Sequence, residues 1–150
     1  MFDVFLGGPW EKHCQIPYKT LLKVGLPKAS FYDPESVGLG WFDRNLDALR
    51  RSQVMVVFVP PFPMPGVGPE IGIYYEHRML MGRQPHLVVI WPDDVAPKWG
   101  QEVLGRMGRI VGTVSDAVRV VAGILAGGGH DTAAALVADG VQGYDLEIPE

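Results

Sequence analysis

With a single cysteine, Cys14, the chain has no partner for an internal disulfide. A fold without such staples suits a reducing compartment, and a cytoplasmic setting is expected. No stretch approaches the roughly 18 consecutive apolar residues of a membrane span, and the first residues lack the basic segment and long apolar core of a secretory signal. Basic charge is scarce as well. Lys and Arg number 13 against 17 Asp and Glu, for a net charge of -4 at pH 7, and they are scattered along the chain with Arg50-Arg51 the densest cluster. Binding along phosphates calls for clustered cations, so nucleic acid is excluded as a partner. The histidines at 13, 77, 86 and 130 show no metal-ligand spacing with one another or with Cys14, so no metal is expected. Gly7-Gly8-Pro9 is too short for a phosphate-binding P-loop and lacks its Gly-Lys-Ser/Thr ending. No cofactor is implied by any of these segments. Internal repeats and linkers are absent too, which argues against a division into two units.

What is present is an ordinary globular balance, 47% hydrophobic and 20% charged, in a length able to bury one sizeable core. Phe2–Leu6, Val54–Val59 and His86–Ile90 are near-continuous apolar runs, the pattern of strands covered on both faces. Ala29–Tyr32 and Arg109–Val111 are weaker strands. Helical patterns run over Cys14–Val24, Phe42–Ser52, Glu70–Met81, Lys98–Met107 and Ser115–Ala126. Such alternation predicts a single doubly wound, flavodoxin-like α/β fold, a parallel sheet of about five strands with helices on both faces. The α/β domain is expected over 1–126, with a glycine hinge, a short helix capped by Asp131 and an acidic C-terminal arm over 127–150.

In open α/β sheets ligands settle beyond the carboxyl ends of strands, where strand order reverses. Glycine and proline gather at two such ends, Gly7-Gly8-Pro9 and Pro60 to Gly68. The second leads into Pro65-Gly66-Val67-Gly68-Pro69-Glu70-Ile71-Gly72. Proline is favoured at a helix start, which puts Glu70 in the first helical turn. There the orphan N–H groups and the helix dipole favour an ionised carboxylate, which can attack an acetal-like carbon. Gly66 and Gly68 let the backbone approach a ligand. Glutamate in a first turn also stabilises a helix without any chemistry, by about 0.3–1 kcal/mol.

The order Asn45, Ser52-Gln53-Val54-Met55-Val56-Val57, then Gly66-Val67-Gly68-Pro69-Glu70-Ile71-Gly72, then Leu87-Val88-Val89-Ile90-Trp91-Pro92-Asp93 resembles nucleoside 2-deoxyribosyltransferases and the related deoxynucleotide N-glycosidases. The opening Val4-Phe5-Leu6-Gly7-Gly8-Pro9-Trp10 is similar to that family's first strand and loop. The resemblance implies that Glu70 is the nucleophile, forming a covalent deoxyribosyl–enzyme intermediate that a second base, or water, resolves. It implies a small-molecule nucleoside or nucleotide substrate and a homo-oligomer in which a neighbour completes each site. It also places Phe5, Gly7, Trp10, Phe62, Met64, Gly66 and Gly68 around the substrate.

Three positions depart from the family pattern. Asn45 stands where an aspartate is usual, with Asp43 and Asp47 two positions to either side. Pro63 and Met64 stand where a second aspartate or a phosphate-binding serine is usual, which favours nucleosides over 5′-monophosphates. Phe5 replaces a tyrosine. Catalysis is therefore assigned to Glu70 with Asn45 or Asp47, and Trp10 and Phe62 enclose the base. Trp41 and Phe42 lie beside the same loops. Tyr74, one turn beyond Glu70, either orients the carboxylate or packs. The expected activity is cleavage of the N-glycosidic bond of 2′-deoxynucleosides with transfer to another base. Hydrolysis, or a nucleoside-binding module that has lost turnover, stays open as an alternative.

Overall fold

The computed structural model describes residues 2–9, 17–34, 38–59, 67–92, 99–127 and 136–137. Among the described residues ten elements alternate in chain order: β1 (Phe2–Gly7), α1 (Tyr18–Gly25), β2 (Phe31–Tyr32), α2 (Trp41–Arg50), β3 (Ser52–Phe58), α3 (Val67–Leu80), β4 (Leu87–Ile90), α4 (Trp99–Met107), β5 (Arg109–Val111) and α5 (Val114–Gly127). All pairings are parallel, in the order β2-β1-β3-β4-β5. This is the doubly wound, flavodoxin-like sheet that the alternating pattern predicts.

The near-continuous apolar runs follow from burial on both faces. Alternate strand residues feed two separate cores. Val4, Leu6, Val54, Val56, Val88 and Ile90 face α1 and α5, where they meet Leu22, Val118 and Val121. Phe5, Met55, Val57, Leu87 and Val89 face the other way, toward Leu49 of α2, Ile71 and Tyr74 of α3, and Leu104 of α4. Two helices therefore cover one face and three the other. Thr113 caps α5, its hydroxyl accepting the Asp116 N–H at 3.0 Å.

Element ends differ from the pattern by a few residues. β2 shrinks to Phe31–Tyr32 because it lies at the sheet edge and pairs only with β1. α3 starts at Val67, so Glu70 is its fourth residue. Leu136, inside the segment expected to be a separate arm, is fully buried with α1 and α5. That residue belongs to the main core, while the glycines at 128–129 and the acidic end lie outside the described residues. No helix among the described residues is long and apolar enough to cross a membrane.

Candidate active site at the carboxyl end of the sheet

The chain leaves β1 toward β2 on one side of the sheet and returns as β3 on the other. Strand order thus reverses between β1 and β3, and the crevice beyond their carboxyl ends is the place this topology offers to a ligand. Gly7-Gly8-Pro9 leaves β1 at this point, Val59 leaves β3, and the first turn of α3 begins above them.

Tyr18 fastens the β1 loop. Its hydroxyl lies 3.0 Å from the Gly7 carbonyl and 2.9 Å from that of Pro9. Its ring stacks on Phe58 with centroids 4.7 Å apart and planes 17° off parallel. Gly8 has φ +106°, and a Cβ there would stand 3.0 Å from both the Phe58 carbonyl oxygen and the Tyr18 hydroxyl. The backbone turns in a space that admits no side chain, so Gly8 lies tight against the end of β3. Gly7 is tight for a different reason. Its Cα faces Met55 and Val57, and a Cβ would meet the Met55 Cε at 3.0 Å. Of its polar groups, the carbonyl is held by Tyr18.

Glu70 is half-buried in the first turn of α3. Burial pushes its carboxyl above the ordinary 4.5, and the Lys19 ammonium pulls it partly back. The helix terminus alone predicts a carboxylate held charged, so here loss of water outweighs the favourable terms. Once ionised, such a carboxylate is more basic than an exposed one, and hence the stronger nucleophile.

Lys19 is the residue that the sequence reading missed. It sits in the first turn of α1, only 2% exposed, with its ammonium 2.5 Å from Asp33 Oδ1. Lys23 supports the same carboxylate from 3.7 Å. Asp33 directly follows β2 and so lies at the carboxyl end of the sheet, where Lys19 acts on Glu70 as well. A signal for this was present. Positions 19, 22 and 26 fall on one helical stripe with spacing i, i+3, i+7, and a lysine among apolar residues on such a stripe is buried only when paired.

Asn45 lies near the start of α2, at the same end and on the same face of the sheet as Glu70. Its Oδ1 accepts the Tyr32 hydroxyl at 2.8 Å. Tyr32 in turn stacks on Phe5 at 5.7 Å. Phe5 is fully buried in this ring pair, so the structure makes it a core residue supporting Tyr32 rather than a wall of the crevice. Asp47 points to solvent, paired at 3.3 Å with Arg51 one turn on, so a shifted register on α2 does not bring its carboxylate toward Glu70. Gly68 is exposed with nothing within 4 Å of its would-be Cβ, leaving the backbone before Glu70 open to close approach. Trp10, Phe62, Met64 and Gly66 lie outside the described residues. Trp41 and Phe42 pack edge to face at 5.9 Å at the start of α2, 38% and 58% exposed.

Tyr74 packs. Although one turn from Glu70, it is directed to the amino end of the strands, where its hydroxyl donates to the Gln53 carbonyl at 2.6 Å and accepts the His86 N–H at 3.1 Å. Burial pushes that phenol up to about 12. Among the described residues no group of His, Cys, Asp and Glu converges to hold a metal ion. No protein-family model matches this chain, and no curated protein matches it.

Proposed function

We propose that the chain cleaves the N-glycosidic bond of 2′-deoxynucleosides through Glu70 and transfers the deoxyribosyl group to a second nucleobase. One observation carries the reading. A half-buried carboxylate stands in the first turn of the helix after β3, within the field of a buried ammonium, at the point where strand order reverses. The order of residues from Val4 to Asp93, similar to nucleoside 2-deoxyribosyltransferases, supports the choice of substrate.

In this reaction a Glu70 carboxylate oxygen bonds to C1′ as the C1′–N bond breaks, through an oxocarbenium-like state. The bonding pair leaves with the base, which takes up a proton. A nitrogen of the incoming base then bonds to C1′, releasing the carboxylate and losing its own proton. Lys19 favours the ionised carboxylate that the first step requires. Asn45, its Oδ1 accepting from Tyr32, is assigned to hydrogen-bond the sugar or base. Trp10 and Phe62 are assigned to enclose the base, and the reaction needs no cofactor. A cytoplasmic setting and a homo-oligomer belong to the same proposal.

A second reading follows from α2. Asn45 offers an amide where proton transfer needs an acid, and Asp47 faces solvent. A nucleoside-binding module without turnover fits those two facts. Incubating the protein with a 2′-deoxynucleoside and a different free base, then separating products by chromatography, decides between them. A new deoxynucleoside, absent with Glu70→Ala, is the expected result. Free base without exchange makes the protein a hydrolase. Binding without turnover overturns the enzymatic reading.

A further inference from the structure

The inner stripe of α2 runs on past the end of the sheet. Ala48 and Leu49 on this stripe are buried, and Asn45, one turn nearer the helix start, is half-buried. Trp41 and Phe42 continue the stripe four and three residues before Asn45, yet both are exposed. Large apolar side chains on the core side of a helix are ordinarily covered. Here the strands give out first. Tyr32, whose hydroxyl bonds to Asn45, pairs with Phe5 of β1, so Asn45 stands about level with Phe5. One helical turn rises about 5.4 Å and one strand residue about 3.3 Å. Trp41 therefore stands about level with Gly7, the last residue of β1.

Gly7 faces the layer of α2 and α3, because Phe5 two residues before it does. The side chains nearest to its missing Cβ are Met55 and Val57 of that same core. No side chain rises from the end of β1 on this face, so the space beyond it is floored by backbone. Glu70 in the first turn of α3 stands on one side of that space, and Trp41 in the first turn of α2 on the other.

Trp41 is firmly mounted. Gly40 before it takes φ +73°, a left-handed turn that glycine adopts without strain. Arg44 donates from Nη1 to the Leu39 carbonyl and from its backbone N–H to that of Gly40. Phe42 meets the indole at 88°. A ring braced in this way, 38% exposed, loses little freedom when a flat ligand covers it.

We propose that Trp41 is the platform on which the nucleobase stacks, and that its bicyclic ring makes purine 2′-deoxynucleosides the preferred substrates. The ligand class rests on the N-glycosidic reading above. Stacking grows with the aromatic area overlapped, and a purine covers more of an indole than a pyrimidine does. A base lying on Trp41 leaves its sugar on the side of Glu70.

Titration calorimetry with 2′-deoxyadenosine and with thymidine, on the full chain carrying Glu70→Gln so that turnover does not interfere, tests this. 2′-Deoxyadenosine binds more tightly than thymidine. Trp41→Ala in that background weakens 2′-deoxyadenosine about 10- to 100-fold, as loss of one base–aromatic stack does, and thymidine by less. Trp41→Phe, which keeps a π face, recovers most of the binding. The proposal is overturned if Trp41→Ala binds 2′-deoxyadenosine as its parent does, or if Trp41→Phe is as weak as Trp41→Ala. It is overturned equally if thymidine binds the tighter, or if neither nucleoside binds. Base exchange with Glu70 intact separates the two readings. Exchange that survives Trp41→Ala at unchanged KM overturns the platform and leaves the glycosidic reading standing, whereas stacking on Trp41 without exchange does the reverse.

Discussion

Replacing Lys19 with methionine separates its electrostatic role from its bulk. The ammonium is 2% exposed and bonded to Asp33, whose side chain is 39% exposed and keeps Lys23 at 3.7 Å. Removing one partner of a fully buried pair costs about 3–5 kcal/mol because the orphaned charge stays buried. Asp33 instead regains water and a second cation, so the loss falls to about 1.5–3 kcal/mol, that of one hydrogen bond to a charged group. For a chain of this length that lowers the melting temperature by roughly 3–12 °C. Urea denaturation at pH 7, followed by circular dichroism, measures it. The same substitution takes away the charge that lowers the Glu70 pKa, so the acidic limb of the pH profile of the proposed exchange moves to higher pH. Unchanged stability refutes the argument for the pair. A limb that stays in place refutes the coupling of Lys19 to Glu70.

Other expectations are as direct. Gly8→Ala, forced into φ +106° against the Phe58 carbonyl and the Tyr18 hydroxyl, destabilises by about 1–3 kcal/mol from backbone strain alone, whereas Gly72→Ala, in open space on α3, stabilises by about 0.5–1 kcal/mol; thermal melts of the two should shift in opposite directions. Tyr74→Phe leaves the Gln53 carbonyl and the His86 N–H without their partner, costing about 1–3 kcal/mol, yet the proposed base exchange is unaltered in the folded variant. Glu70→Gln stabilises the fold at neutral pH, because the folded carboxyl has the higher pKa and binds the extra proton. Between the unfolded and folded pKa values stability therefore falls as pH rises, and the advantage of glutamine is absent below the unfolded value and complete above the folded one. Urea titrations at pH 4 and pH 8 check this, and an equal gain at both contradicts it.

Much of the fold was legible because burial on both faces leaves a simple record in the residues. Val54 to Phe58 has one pattern available to a strand between two layers of helix, and Arg109–Val111 emerges with the bounds the sequence suggests. β2 was harder, since two paired residues carry almost no period. The site was legible in part. Proline and glycine before Glu70 signal a helix start, which is local chemistry, although α3 opens three residues before Glu70, at Val67. The Lys19–Asp33 pair and the Tyr32–Asn45 bond join residues of different elements, and only the folded sheet brings them together. Phe5 shows the same limit, since whether a ring lines a crevice or supports another ring depends on β2 lying beside it.

Intact-protein mass spectrometry of the chain quenched in acid during turnover of a 2′-deoxynucleoside tests the central claim most directly. The account predicts a mass increase of one deoxyribosyl group, mapped by peptide digestion to Glu70 and missing from Glu70→Gln. An adduct on another residue, or undiminished exchange by Glu70→Gln, contradicts it.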